Sequence, residues 1–154
     1  MALTVDIARL DALTPGELHD LFRLRIDVFV VEQNCPYPEI DGKDPEALHL
    51  RLLEDGRLAA YARIFAADAT TSEARIGRVV VAPDYRGQRL GERIMREAIA
   101  ACEKRAPGAA IAISAQAHLQ RFYGTLGFSV TSAEYLEDGI PHVDMIRAAE
   151  RRAS

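Results

Sequence analysis

The sequence predicts an α/β fold of the α+β kind: a single domain over residues 1–154, with a mixed, mostly antiparallel sheet, one strand–helix–strand crossover and flanking helices. Three observations predict it. At 154 residues the chain suits one domain, since single domains most often run about 100–150 residues. Its composition, 49% hydrophobic and 27% charged, is that of a globular protein and excludes a disordered tail, a coiled coil and a collagen-like repeat. Read in order, its periodic segments run helix, hairpin, strand, helix, strand, helix, hairpin, so one parallel connection sits among antiparallel ones.

The first helix opens on Thr14-Pro15-Gly16-Glu17, a capping box in which Thr14 caps, Pro15 takes the first helical position and Glu17 reaches back. Leu18, Leu21, Phe22, Arg25, Ile26 and Phe29 follow at helical spacing and predict a buried stripe. Nothing before Thr14 is read as an element. Phe29-Val30-Val31-Glu32-Gln33 carries no breaker, so helix continues or restarts there. Cys35-Pro36-Tyr37-Pro38 ends it, because a residue before proline leaves the α region. Residues 36–47 read as a loop, acidic at Glu39, Asp41, Asp44 and Glu46.

His49–Leu53 and Leu58–Phe65 flank Asp55-Gly56, a strong signal for a two-residue hairpin. Asp68–Glu73 is a polar loop, and Ala74–Val81 the next strand. From Leu90 to Lys104 the positions Leu90, Ile94, Ala98, Ala101 and Cys102 mark an amphipathic helix, stopped by Pro107-Gly108. Ala109–Ser114 is apolar without alternation, as in a strand buried on both faces. His118–Leu126 is a short helix that Gly127 ends. Phe128–Leu136 and His142–Ala148 frame a closing hairpin at Glu137-Asp138-Gly139-Ile140.

Lys and Arg number 19 against 23 Asp and Glu, a formal net charge of −4. Nucleic-acid modules carry a basic footprint, so DNA and RNA are not expected partners. No apolar run approaches the ~18 residues of a membrane span. The first residues, with Asp6 and Arg9 among them, lack the apolar stretch of a signal peptide. Two cysteines, Cys35 and Cys102, are too few for a disulfide scaffold and lack the spacing of a zinc site. The expectation is a cytoplasmic protein without a metal or a membrane partner, with a homodimer left open.

The informative segment is Arg86-Gly87-Gln88-Arg89-Leu90-Gly91, between a strand end and a helix start. The first turn of a helix has unpaired N–H groups and the positive end of the helix dipole, so an anion fits there. Gly87 and Gly91 let backbone approach a bulky phosphate, and Arg86 and Arg89 add local positive charge. Neither the P-loop nor the dinucleotide fingerprint matches. A solvated helix cap is the plain alternative.

With Val79-Val80-Val81 and Ala82-Pro83-Asp84-Tyr85 before it, this segment resembles motif A of the GNAT acyltransferases, [Gln/Arg]-x-x-Gly-x-[Gly/Ala] after an apolar strand. Phe122-Tyr123-Gly124-Thr125-Leu126-Gly127-Phe128 resembles their motif B, Phe-Tyr-x-x-x-Gly-Phe. Phe29–Tyr37, Asp41–Asp44, Gln116–Gln120 and Asp138–His142 resemble the ElaA branch. Two positions depart from the general pattern: Arg89 stands where motif A usually has glycine, and Gln116 where an asparagine often contacts the cofactor.

The resemblance implies a GNAT-like fold and acetyl-CoA as cosubstrate, its pyrophosphate on the amides of residues 86–91 and its pantetheine between strands 74–81 and 109–114. It places Val79, Val80, Val81, Arg86, Gly87, Gln88, Arg89, Leu90, Gly91, Gln116, Phe122 and Tyr123 against the cofactor. A backbone N–H near Val79 to Val81 would face the acetyl carbonyl as an oxyanion donor. Tyr123 is the implied general acid: phenol titrates near ~10 and a thiol near ~8.5, so a protonated tyrosine faces the departing sulfur at neutral pH.

The base is not fixed by sequence. His49, His118 and His142 each suit proton uptake from an alkylammonium, and each also suits a structural role. Cys102 lies on an apolar helix stripe, and Cys35 has no adjacent histidine, so direct transfer in a ternary complex is expected over an acyl-enzyme. Glu32, Glu39, Asp41 and Asp44 suit either attraction of a cationic amine or an ordinary solvated loop.

The expected function is transfer of acetyl from acetyl-CoA to a primary amine of a small molecule or peptide. The alternative is an acyl-CoA-binding sensor or interaction module without turnover. Arg25-x-x-x-Phe29 also resembles acyl-homoserine lactone synthases, but the short chain and the absence of tryptophan argue against that reading.

Overall fold

The computed structural model describes residues 2–149; residues 1 and 150–154, the two ends of the single-domain assignment, lie outside the described residues. Among the described residues eight strands form one sheet: β1 (Leu3–Arg9), β2 (Leu48–Glu54), β3 (Arg57–Phe65), β4 (Ala74–Val81), β5 (Ile111–Gln116), β6 (Ser129–Val130), β7 (Tyr135–Glu137) and β8 (Ile140–Arg147). Three α-helices accompany it: α1 (Pro15–Ile26), α2 (Leu90–Arg105) and α3 (Gln120–Gly124). The strand order is β1-β2-β3-β4-β5-β8-β6, and β7 also pairs with β8. Among the described residues only β4 and β5 run parallel; the other pairs are antiparallel.

Local chemistry sets the boundaries. At α1 the Thr14 amide donates to Glu17 Oε1 at 2.8 Å and the Glu17 amide to Thr14 Oγ1 at 3.2 Å, completing the capping box. Beyond Ile26 the chain widens into a π-helical turn, Asp27–Glu32, with the Cys35 amide bonded to the Val30 carbonyl at 2.9 Å. Asp55-Gly56 and Asp138-Gly139 turn their hairpins with positive φ at both residues, the geometry that matches strand twist.

The sheet is covered on both faces. Ile94, Met95 and Ala98 of α2 pack with Leu50, Leu52, Ala60, Ala62 and Ile64. On the opposite face Leu21 and Leu24 of α1 pack with Tyr61 and Val80. β3 is therefore buried on both sides, which accounts for its unbroken run Ala59–Ile64.

Three expectations need correction. Residues 3–9 form edge strand β1, paired with β2, where no element was expected. Phe128–Leu136 is not one strand but the short pieces β6 and β7. Ile26 of the expected α1 stripe is exposed, whereas Arg25 is fully buried as the stripe predicted, because carboxylates meet it there, as described below.

β4 positions the site. Tyr61 pairs with Val80, but the next pair is Arg63 with Gly77, so Arg78 and Val79 bulge opposite Ala62 alone. Arg78 takes a φ of +52°, which a β-strand residue adopts only under local constraint. β4 pairs with β5 at two positions, Ala74 with Ile111 and Arg75 with Ala112. Past them the two strands part.

Candidate functional site

The turn from β4 into α2 makes the first half of the site. Gly87 has a φ of +82° and Arg89, the N-cap of α2, a φ of +58°. No side chain caps the helix, so its first amides are open to an external acceptor. Val81, Arg86, Gly87, Arg89, Leu90, Gly91 and Phe122 line a cleft of about 360 Å³ here. A Cβ on Gly91 would lie 3.9 Å from both Phe122 Cζ and Val81 Cγ2; packing tolerates it, and the atom would take up cleft space. The residues present thus fit an anionic group seated on the turn.

Arg86 grips Glu32 in a two-pronged contact, with Nη2 2.6 Å from Oε2. That bond holds the Glu32 carboxyl below its usual range. Glu32 lines neither cleft; its carboxylate is engaged by Arg86, which lines the anion cleft. The Arg89 guanidinium makes no hydrogen bond among the described residues.

The second half is a cleft of about 690 Å³ between the parted strands, residues 33–46 and the β7–β8 turn. Val79, Gln116 and Tyr123 line it. Tyr123 is 8% exposed and sits edge-on to Phe122 and Phe128 at ring separations of 5.1 and 6.1 Å. Burial pushes its phenol up to about 12. Gln116 Nε2 meets Gln33 Oε1 at 3.4 Å. The two clefts adjoin through Val79 and Val81 on β4 and Phe122 and Tyr123 on α3. Two expected cofactor contacts fall elsewhere: the Val80 side chain packs on the α1 face, and Gln88 is exposed and lines neither cleft.

The three candidate histidines separate cleanly. His49 is fully buried, with Nδ1 2.7 Å from the Tyr61 hydroxyl and Nε2 2.9 Å from the Asp44 carbonyl. Burial holds it neutral, and it serves the core. His118 is exposed and lines neither cleft. His142 lines the Tyr123 cleft, its Nδ1 2.7 Å from the Ile140 carbonyl and its Nε2 3.3 Å from Glu137 Oε2.

The acidic segment has neither of its expected roles. Asp44 is 2% exposed and meets Arg25 at 2.7 Å and Arg63 at 3.2 Å. Glu39 meets Arg25 at 2.9 Å and Arg78 at 2.7 Å, and Asp41 meets Arg63 at 2.8 Å. These carboxylates neutralise three arginines and fasten residues 39–44 to α1, β3 and the β4 bulge. Cys102 is buried, its thiol pushed up to about 11 by desolvation. Cys35 Sγ lies 3.2 Å from the Asp138 carbonyl, to which it donates.

Sequence reasoning passed over Glu137, Tyr135, Ser114 and Asp144. The β5–β8 register sets Ser114 opposite Asp144 and Gln116 opposite His142, and β7 sets Tyr135 opposite His142. The period-two spacing of His142 and Asp144 was the available signal, but it names no partner without the register. Among the described residues no group of three His, Cys, Asp or Glu is arranged to hold a metal, and no helix is long and apolar enough to cross a membrane.

Residues 18–148 match the family model described as an acetyltransferase (GNAT) domain. Protein ElaA of Escherichia coli is 42% identical over 137 residues, 88% of this chain and 90% of that protein. Its crystal structure superimposes with a TM-score of 0.87 at 38% identity, over 95% of this chain and 99% of that one. An acyl-CoA N-acyltransferase from Pseudomonas aeruginosa gives a TM-score of 0.89 at 43% identity, over 96% and 100%. A CoA-dependent acyl-homoserine lactone synthase shares the fold, with a TM-score of 0.79, at only 18% identity over 97% of this chain and 85% of that one. With the parted β4–β5 pair and the open α2 turn already in place, these matches assign the chain to the GNAT acetyltransferase family.

Proposed function

We propose that the protein transfers the acetyl group of acetyl-CoA directly to a primary amine of a small molecule or peptide, in a ternary complex. The observation that carries this is the junction of the two clefts where β4 and β5 part, with an anion cradle on one side and Tyr123 on the other. The acetyl group and the amine class rest on the family description and on the name of the Pseudomonas relative. Two free, buried thiols suit a reducing cytoplasm.

Acyl-CoA, when bound, supplies a thioester carbonyl open to amines and a sulfur leaving group. The amides of residues 87–91 would hold its diphosphate, aided by Arg86 and Arg89. β4 is bulged at Arg78 and Val79 and unpaired with β5 beyond Arg75, so its edge there would supply hydrogen-bond partners for an extended chain. Tyr123 stays a phenol across the working pH range. Since a phenol near 12 is a much weaker acid than a thiol near ~8.5, its chief contribution is a hydrogen bond donated to the departing sulfur.

Thiol release from acetyl-CoA, measured with a panel of primary amines beside calorimetric binding of coenzyme A, tests the reading. Wild-type protein is expected to bind and turn over. Tyr123→Phe should lower kcat by roughly 10²-fold or more with binding within twofold. Binding without thiol release for any amine would instead favour the sensor reading. An isolable acyl-protein would overturn direct transfer.

A further inference from the structure

We infer that His142 and Glu137 form the ammonium-binding pair of the Tyr123 cleft, with His142 Nε2 taking the proton that the acceptor amine must lose. This deepens the acetyl-transfer reading and rests on it. His142 Nδ1 lies 2.7 Å from the Ile140 carbonyl. A carbonyl oxygen only accepts, so Nδ1 carries the hydrogen and the neutral ring has its lone pair on Nε2. That lone pair faces Glu137 Oε2 at 3.3 Å. With the ring neutral, Nε2 and Glu137 Oε2, which also meets Ser114 Oγ at 3.4 Å, are two acceptors within hydrogen-bonding distance of each other. A cation bearing N–H groups completes the arrangement by donating to both.

The ring is held for this task. His142 is 8% exposed, paired to Gln116 of β5 and to Tyr135 of β7. It stacks on Tyr135 at 6.3 Å and 27°. The Tyr135 hydroxyl donates to Asp144 Oδ1 at 2.6 Å and is met by Ser114 Oγ, so the stacking partner is itself fastened to two strands. Burial and the Asp144 carboxylate keep that phenol protonated, leaving Glu137 the carboxylate that faces the ring.

The proton step balances. One N–H bond of the alkylammonium breaks and one forms on Nε2; the positive charge passes to the imidazolium, which Glu137 pairs. Glu137 is 51% exposed on its side chain, so the proton leaves to water along it. Glu137 is a positioning residue, because it acts through the ring. The charged groups around the ring are Glu137, Asp138 and Asp144, with the Tyr135 phenol; β5 contributes uncharged Ser114 and Gln116, and Cys35 approaches from residues 33–46. Glu39, Asp41, Arg63 and Arg78 share the cleft but pair with one another.

The test uses protein with ¹⁵N-labelled histidine rings, loaded with coenzyme A and titrated with butylamine or butyltrimethylammonium between pH 6 and 9. His142 is expected as the Nδ1–H tautomer, and butylamine should shift its Nε2 resonance. The quaternary ion, lacking N–H groups, should not. Glu137→Gln should weaken the butylamine shift about tenfold or more while leaving the amides of residues 86–91 unchanged. In thiol release His142→Gln should lose roughly 10²–10⁴-fold in kcat/KM at neutral pH, with the deficit shrinking toward pH 10 as free amine becomes available. An Nε2–H tautomer, an unmoved Nε2 resonance, or a loss uniform across pH would overturn the inference. The transfer reading fails separately, if coenzyme A leaves the amides of residues 86–91 unperturbed.

Discussion

Arg89 holds the left-handed N-cap of α2, where its family usually has glycine, so two effects oppose each other at one residue. A side chain in that conformation costs about 1–2 kcal/mol, while its charge faces the anion cleft. Arg89→Gly should therefore raise the melting temperature of the free protein, yet weaken coenzyme A binding and flatten its salt dependence. Calorimetric titration at two salt concentrations reads both. A variant that binds as wild type would assign Arg89 to solvent. Glu32 acts in the opposite sense. Its carboxylate occupies the Arg86 guanidinium and adds negative charge beside the proposed phosphate seat, so Glu32→Gln should tighten coenzyme A binding by severalfold, most at low salt. The cradle residues were legible in sequence because their requirements are local: a strand end, small or basic residues and a helix start. The Glu32 contact was not, since it joins positions far apart in the chain.

Among the elements, the segment from Glu39 to Asp44 shows how far charge patterning misleads without tertiary contacts. A run of carboxylates reads as a solvated or substrate-attracting loop, yet Asp44 lies between two buried guanidinium groups, Arg25 and Arg63. Removing one partner of a buried pair strands the other. Asp44→Asn should therefore cost about 3–5 kcal/mol, a fall in melting temperature of roughly 6–20 °C for a domain of this size. Glu46→Gln, at an exposed position of the same segment, should leave it unchanged. Acid should dissolve the fastening in order. Burial alone would raise the Asp41 carboxyl, but hydrogen bonds from Arg63 and the Lys43 amide outweigh it and hold the group well below its usual range. A lowered folded-state value stabilises above the unfolded value, near ~3.9, and is lost as pH falls through it. His49, held low by burial, likewise costs stability as pH drops below ~6.5. Melting temperature should thus decline in two stages, gently below pH 6.5 and steeply below pH 4. β1 escaped notice for another reason. Leu3, Val5 and Ile7 do alternate with Thr4 and Asp6, but the strand is half exposed at the sheet edge. Its core partner, β2, lies beyond the whole of α1.

At the level of the whole molecule, the sheet is continuous except where β4 and β5 share two residue pairs and then diverge. Everything flanking that wedge is tied down. β3 locks one side of β4, β8 pairs along all of β5, and the arginine–carboxylate cluster fixes the bulge. The opening is thus a built feature and not a frayed edge, held apart by the same contacts that stabilise the fold. Its position follows from topology: only the parallel crossover through α2 leaves two neighbouring strands free to part, and the helix that makes the crossover brings its N-terminus to the mouth of the gap. A ligand that bridges cradle and wedge should stabilise the protein as one unit. At about 100-fold excess over Kd, mass action contributes about 2.7 kcal/mol, a rise of roughly 5–11 °C in melting temperature. The rise should be accompanied by slower amide exchange in the distal half of β4, from Gly77 to Val81, where backbone groups turned away from β3 lack a β5 partner. Arg86→Ala should diminish both effects together, because the phosphate seat and the strand gap answer to one bound molecule. Thermal stabilisation by coenzyme A without protection in β4 would place the cofactor on the turn alone and leave the wedge without its proposed occupant.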